Sequence, residues 1–171
     1  GYVVGYDGND KLFGTGGADV LIGSGGADLL DGGDGTDYLS YVNSFSGVNV
    51  NLLTGKGVGG EAQGDTLIHC ENIAGSKFND TLTGDANGNE IFGFGGDDLI
   101  QGGVGADDLD GGDGADTLSY AGSRSAVIVN LGNGKAGGGH AEGDVFEGFE
   151  HLRGSSYDDT LTGGAFDNTL A

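Results

Sequence analysis

The residues able to do chemistry in this chain are its aspartates, and their spacing sets them apart from a solvated acidic surface. Asp10, Asp19, Asp28 and Asp37 recur every nine residues, each five residues after a glycine and two before a leucine (Leu12, Leu21, Leu30, Leu39). Asp80, Asn89, Asp98, Asp107 and Asp116 keep the same register with Leu82, Ile91, Ile100, Leu109 and Leu118. The pattern is complete at residues 32–40, 102–110 and 111–119, where it runs Gly-Gly-x-Gly-x-Asp-x-U-x, with U a large apolar residue. A short carboxylate in a glycine-rich turn is an oxygen donor held beside main-chain carbonyls.

The elements that position these donors follow from the repeat. Gly-Gly-x-Gly-x-Asp is a turn, because glycine enters backbone conformations closed to residues with a Cβ. The segment x-U-x is a strand of about three residues whose alternation points only U inward. Strand, turn, returning strand and turn make one layer of 18 residues, and each strand pairs with the one two copies later. The expected fold is all-β: a parallel β-roll, or right-handed β-solenoid, with a thin core of Leu and Ile and with the turns stacked along two edges. Carboxylates of successive layers then lie roughly 4.8 Å apart, close enough to repel unless a cation joins them. Two carboxylates and several carbonyls suit Ca²⁺, which takes about six to eight oxygens at about 2.3–2.6 Å; Mg²⁺ demands a tighter octahedron. Zinc would call for His or Cys. The expected pairs are Asp10 with Asp28, Asp19 with Asp37, Asp80 with Asp98, Asp98 with Asp116 and, with one charge fewer, Asn89 with Asp107. These imply at least five calcium ions, and Asp107 or Asp159 could form further sites with neighbours outside the regular blocks.

Composition narrows the function classes. Of 171 residues 41 are glycine and none is proline, which excludes collagen and proline-rich linkers. With 27 acids against 6 bases the net charge is −21. Nucleic acid and anionic membranes, which call for a basic face, are excluded as partners, and cations are favoured. Cys70 is the single cysteine, so no internal disulfide or thiolate cluster forms. No apolar run reaches the roughly 18 residues of a bilayer span, and no signal peptide opens the sequence. The expectation is therefore export by another route, or a fragment of a longer protein.

Taken in order, a first block covers residues 5–40, a second 75–119, and a third begins at 154 and runs to 171. Related segments 41–74 and 120–153 join them into one continuous array. Between blocks, Val48, Val50 and Leu52 alternate with asparagine as a half-buried strand, a glycine-rich loop spans residues 54–60, and Glu71-Asn72-Ile73 suggests another short strand. Residues 32–92 align without gaps on residues 111–171, an offset of 79, with 31 of 61 pairs identical. Ser40-Tyr41 matches Ser119-Tyr120, and Gly64-Asp65 matches Gly143-Asp144. The joining segments therefore belong to a 79-residue unit.

The nonapeptide resembles the RTX (repeats-in-toxin, haemolysin-type) calcium-binding family, and the resemblance covers most of the chain. It implies a β-roll assembled by Ca²⁺ after type I secretion, hence a secreted, extracellular or cell-surface protein. It further implies that turn carbonyls of positions one to four join the acid at position six. Gly8, Gly17, Gly26, Gly35, Gly96, Gly105 and Gly114 hold position four. Phe78, Asn87 and Tyr157 replace that glycine, and Asn89 and Asn168 replace the acid, so those turns are expected to be reshaped or without metal.

Other residues carry less. Asp65, Glu71, Asp144 and Glu150 read first as ordinary turn acids, with an additional calcium site between blocks as the sharper reading. No histidine recurs at a repeated position, and no nucleophile–base pair is visible, so no catalytic residue is assigned. The expected function is a non-catalytic, calcium-binding folding or surface-array module. Self-association or an extracellular polysaccharide are further partners such a module could take. The alternative is an accessory or catalytic part of a secreted polysaccharide epimerase or lyase.

Overall fold

The computed structural model describes residues 1–171. Its regular elements are three-residue strands joined by turns, with two single-turn 3₁₀ segments at Gly60–Ala62 and Gly139–Ala141. Its parallel strands form the two faces of a β-roll. One face carries seven strands: Tyr2–Val4, Val20–Ile22, Tyr38–Ser40, Asn72–Ala74, Glu90–Phe92, Asp108–Asp110 and Val145–Glu147. The other carries nine, from Lys11–Phe13 at one end to His151–Arg153 at the other. No helix is long and apolar enough to cross a membrane.

Most strands, among them Val20–Ile22, Leu29–Asp31, Tyr38–Ser40 and Leu99–Gln101, bury the middle residue and leave the outer two nearer the surface, which is the period-two rule applied to three residues. The inward residues stack in register. Leu21 lies on Leu39 and Leu39 on Ile73, while Val50, Leu82, Ile100, Leu118 and Leu152 form a row on the opposite face. Leu21, Leu30, Leu39, Leu82, Ile91, Ile100, Leu109 and Leu118 are 0 % exposed. Each such side chain contributes about 1.5–3 kcal/mol on burial, so stability is spread along the roll and has no single centre.

The joining segments are built differently from the blocks. After Tyr38–Ser40 the chain forms an antiparallel hairpin, Asn49–Asn51 with Lys56–Val58, and then returns as Thr66–Ile68. The residues expected to form a glycine-rich loop thus include a strand. Its inward position is Gly57, which offers no side chain to mark it in the sequence. The hairpin adds two strands to the nine-stranded face between Thr66–Ile68 and Thr81–Thr83. On the opposite face Asn72–Ala74 pairs directly with both Tyr38–Ser40 and Glu90–Phe92. Beneath the hairpin Tyr41, Val48, Val50 and Ala62 are buried.

The second unit repeats this plan with Ile128–Asn130, Lys135–Gly137 and Thr160–Thr162 as a three-stranded sheet. The faces are exchanged. Tyr38–Ser40 lies on the seven-stranded face, whereas its equivalent Thr117–Ser119 lies on the nine-stranded one. A 79-residue unit contains an odd number of half-layers, so successive hairpins emerge on opposite faces.

Candidate metal centre

The turns alternate between the two edges of the roll, and along each edge the position-six acids form a hydrogen-bonded ladder. The N–H of Asp10 donates to Asp28 Oδ1 at 2.9 Å, and that of Asp28 to Asp65 Oδ1 at 2.9 Å. Further along this edge the N–H of Asp80 donates to Asp98, Asp98 to Asp116, and Asp116 to Glu150. On the other edge the series runs Asp19 to Asp37, Asp37 to Glu71, Asn89 to Asp107, and Asp107 to Asp144. At the hairpins the ladder is carried by Val48 N–H on Asp80 Oδ1 and Val127 N–H on Asp159 Oδ1, both 2.8 Å. All five carboxylate and carboxamide pairs expected from the spacing are therefore neighbours across a layer step.

Asp65, Glu71, Asp144 and Glu150 are full members of the ladders. The 18-residue period hides them because the hairpins stretch the separation to 37 residues for Asp28–Asp65 and Asp107–Asp144, and to 34 for Asp37–Glu71 and Asp116–Glu150. Their identity across the 79-residue offset was the available signal. Asp65 and Asp144 are also closed from inside the roll. The buried hydroxyls of Tyr41 and Tyr120 donate to their Oδ2 atoms at 2.9 Å.

Except at Asp10, the first of its edge, one carboxylate oxygen of each acid is thus engaged by the neighbouring layer. The second oxygen divides the turns into two kinds. In the turns of Asp10, Asp28, Asp37, Asp98, Asp107 and Asp116, Oδ2 is buried and accepts no hydrogen bond. In the turns of Asp19, Asp80, Asn89, Asp159 and Asn168, an oxygen of the side chain accepts the N–H of the turn's own second residue at 2.5–2.8 Å. Those donors are Thr15, Ser76, Asp85, Ser155 and Gly164. The Asp19 carboxylate additionally takes the α-ammonium group of Gly1.

Backbone conformation at position two separates the two sets without exception. In the six uncapped turns it is Tyr6, Ser24, Gly33, Phe94, Gly103 and Gly112, all left-handed with φ between 68° and 117°. None of the five capping residues has positive φ. A left-handed residue at that point turns its N–H away from the acid. The glycines expected at position four, from Gly8 to Gly114, all have positive φ as well. The need is steric at Gly114, where a Cβ would overlap the carbonyl oxygen of Gly96 in the next layer.

A buried, ionised carboxylate oxygen without a donor is costly, by several kcal/mol in an apolar surround. The strain shows in the proton affinities. Burial pushes Asp98 up to about 7, and it raises Asp28, Asp107 and Asp116 above the ordinary carboxylate range. Burial likewise brings Asp65 and Asp144 up to about 6, against the lowering effect of their N–H and tyrosine donors. Cations would remove the penalty. No group of three or more His, Cys, Asp or Glu side chains converges on one point. An ion in these turns would therefore take most of its ligands from main-chain carbonyls and one or two carboxylates, a hard all-oxygen set that fits calcium and not zinc.

Comparison with known families agrees with this chemistry. The model of the RTX calcium-binding nonapeptide repeat matches in four copies, at residues 4–39, 71–93, 83–118 and 146–171. No curated protein matches the chain.

Proposed function

Since the chain belongs to the RTX calcium-binding nonapeptide repeat family and is a calcium-binding β-roll module, we propose that it serves as the calcium-triggered folding or surface-array module of a secreted protein. The observation that carries this reading is the set of six buried carboxylate oxygens without donors, repeated in register along both edges. Asp10, Asp28, Asp37, Asp98, Asp107 and Asp116 would supply the charged ligands. Gly8, Gly26, Gly35, Gly96, Gly105 and Gly114 let the turn backbone approach closely enough for carbonyls to complete the shell. The ion supplies the charge neutralisation that lets adjacent layers close.

The net charge of −21 gives the chain its switch. Where calcium is scarce, repulsion between stacked carboxylates opposes the roll and keeps the chain loose enough for export. Extracellular modules bind calcium with dissociation constants of about 10⁻⁴–10⁻³ M, comparable to or below millimolar calcium outside the cell. Each occupied site then adds about 1 kcal/mol or more. Five or more coupled sites make folding steep in calcium.

Circular dichroism tests this reading. Chelation with EGTA is expected to abolish most of the sheet signal, and calcium in excess of the chelator to restore it. A sheet spectrum indifferent to chelation would refute the switch. The second reading, an accessory or catalytic part of a polysaccharide-modifying enzyme, rests on the capacity of β-solenoids to carry such sites. With six Lys and Arg in all, the chain has little with which to line a cleft for an acidic sugar, and the structural reading is preferred.

A further inference from the structure

The capped turns are not scattered. Two of them, residues 75–80 and 84–89, flank Thr81–Thr83, the strand that pairs with the first hairpin, one on each edge of the roll. Two more, residues 154–159 and 163–168, flank Thr160–Thr162, which pairs with the second hairpin, at the equivalent places 79 residues on. The fifth, residues 14–19, lies near the start of the first block. Each hairpin is therefore bordered by a pair of turns whose acid or amide is already satisfied by the chain.

What replaces an ion in these turns is visible at Asn89. Its Oδ1 accepts the N–H of Asp85 at 2.8 Å, and its Nδ2 donates to the carbonyl of Glu71, one layer away, at 2.7 Å. Asn168 repeats the arrangement with Gly164 and the carbonyl of Glu150, again at 2.7 Å. A neutral amide thus bridges the turn to the carbonyl of the neighbouring layer, the junction that a cation makes elsewhere. In the companion turns Ser76 and Ser155 close the acid twice. Their N–H groups donate to Oδ2 and their hydroxyls to Oδ1 of Asp80 and Asp159. The hairpin beside each pair has its own closed core, including the Tyr41–Asp65 and Tyr120–Asp144 contacts.

We propose that calcium enters only the six uncapped turns, and that each 79-residue unit carries a calcium-independent latch made of its hairpin and the two capped turns that follow. The proposal rests on the calcium-binding reading above and adds where binding stops. The latch holds layer spacing and strand register in each unit before calcium is present. Calcium then closes the uncapped turns outward from it. The capped acids Asp19, Asp80 and Asp159 are structural acceptors, and Asn89 and Asn168 are amide bridges in place of a metal site.

Two measurements on the full chain test this. Metal analysis after dialysis against buffered calcium chloride counts ions per chain. Asp98→Asn and Asp107→Asn are each expected to lose at least one ion relative to the unaltered chain, and Asp80→Asn and Asp159→Asn to lose none. A loss in the capped variants equal to that in the uncapped ones would overturn the latch while leaving calcium binding intact. Absence of bound calcium in the unaltered chain would overturn both readings. Should a variant fail to fold, amide exchange of the unaltered chain in EGTA decides the matter. The N–H groups of Ser76, Asp85, Ser155 and Gly164 are expected to exchange at least tenfold more slowly than those of Asp10, Asp28, Asp37, Asp98 and Asp107. Equal rates in the two sets contradict the proposal.

Discussion

Two residues show how little of each layer is free to vary. Tyr41 is buried to 1 % exposure, and its hydroxyl is the sole donor to Asp65 Oδ2, while Oδ1 is taken by Asp28 N–H. Tyr41→Phe keeps the ring and removes the donor, so Asp65 is left with an unsatisfied buried oxygen. The expected loss is about 1–3 kcal/mol, read from urea unfolding in saturating calcium. An unchanged midpoint would show that the hydroxyl contact carries no stability. Gly114 tests the backbone side of a different layer, that of Asp116. Its φ is +154° and a Cβ there would overlap the Gly96 carbonyl. Gly114→Ala is expected to cost more than about 1 kcal/mol and to raise the calcium needed for folding, because Asp116 sits in the turn it distorts. Wild-type calcium dependence in this variant would remove the close-approach argument.

The strands were the most legible elements, for a simple reason. Three residues with one apolar residue in the middle have only one way to face a core, and a nine-residue period leaves only one partner, two copies away. Leu12 and Leu30 stack as that rule requires, 18 residues apart, whereas Leu67 stacks on Leu30 across the hairpin, 37 residues on. The rule fails where a hairpin interrupts it. Lys56–Val58 has glycine at its inward position and so carries no apolar mark. The ladder acids after it fall at separations that the period does not predict. The capped turns were half legible. Phe78, Asn87, Tyr157 and Phe166 stand where uncapped turns have glycine, but the turn of Asp19 keeps Gly17 and is capped through Thr15. A β-branched residue resists the left-handed conformation that position two would need, so the signal there lay in Thr15 and not in the glycine. The exchange of faces between units leads to a test at this scale. Val50 and Val129 fill the cores of the two hairpins and are both 0 % exposed. Val50→Ala and Val129→Ala are each expected to cost on the order of 2 kcal/mol, and the double variant to lose the sum to within about 0.5 kcal/mol. Strong coupling between them would contradict their placement on opposite faces.

Across the whole molecule, acidity and calcium act on the same oxygens with opposite consequences. Without metal, the folded chain holds protons on Asp98 to about pH 7 and on Asp65 and Asp144 to about pH 6, because burial raises all three above the 3.8 of a free aspartate. The folded state therefore binds more protons than the unfolded one between those limits. The contribution is fully present below the unfolded value and is lost as pH rises through about 6–7. In EGTA, acidification from about pH 7.5 to about pH 5 is expected to increase sheet content, read by circular dichroism. In calcium titrations the same acidification is expected to raise the midpoint, since protons compete for the ligand oxygens. A chelated chain that loses sheet over this range would reverse the sign. The most direct test of calcium in the uncapped turns is a crystal structure grown in calcium chloride, with an anomalous difference map collected at long wavelength. Peaks are expected beside Asp10, Asp28, Asp37, Asp98, Asp107 and Asp116, with none in the turns of Asp19, Asp80, Asn89, Asp159 and Asn168. Peaks confined to exposed surface acids, or equal peaks in capped and uncapped turns, would contradict it.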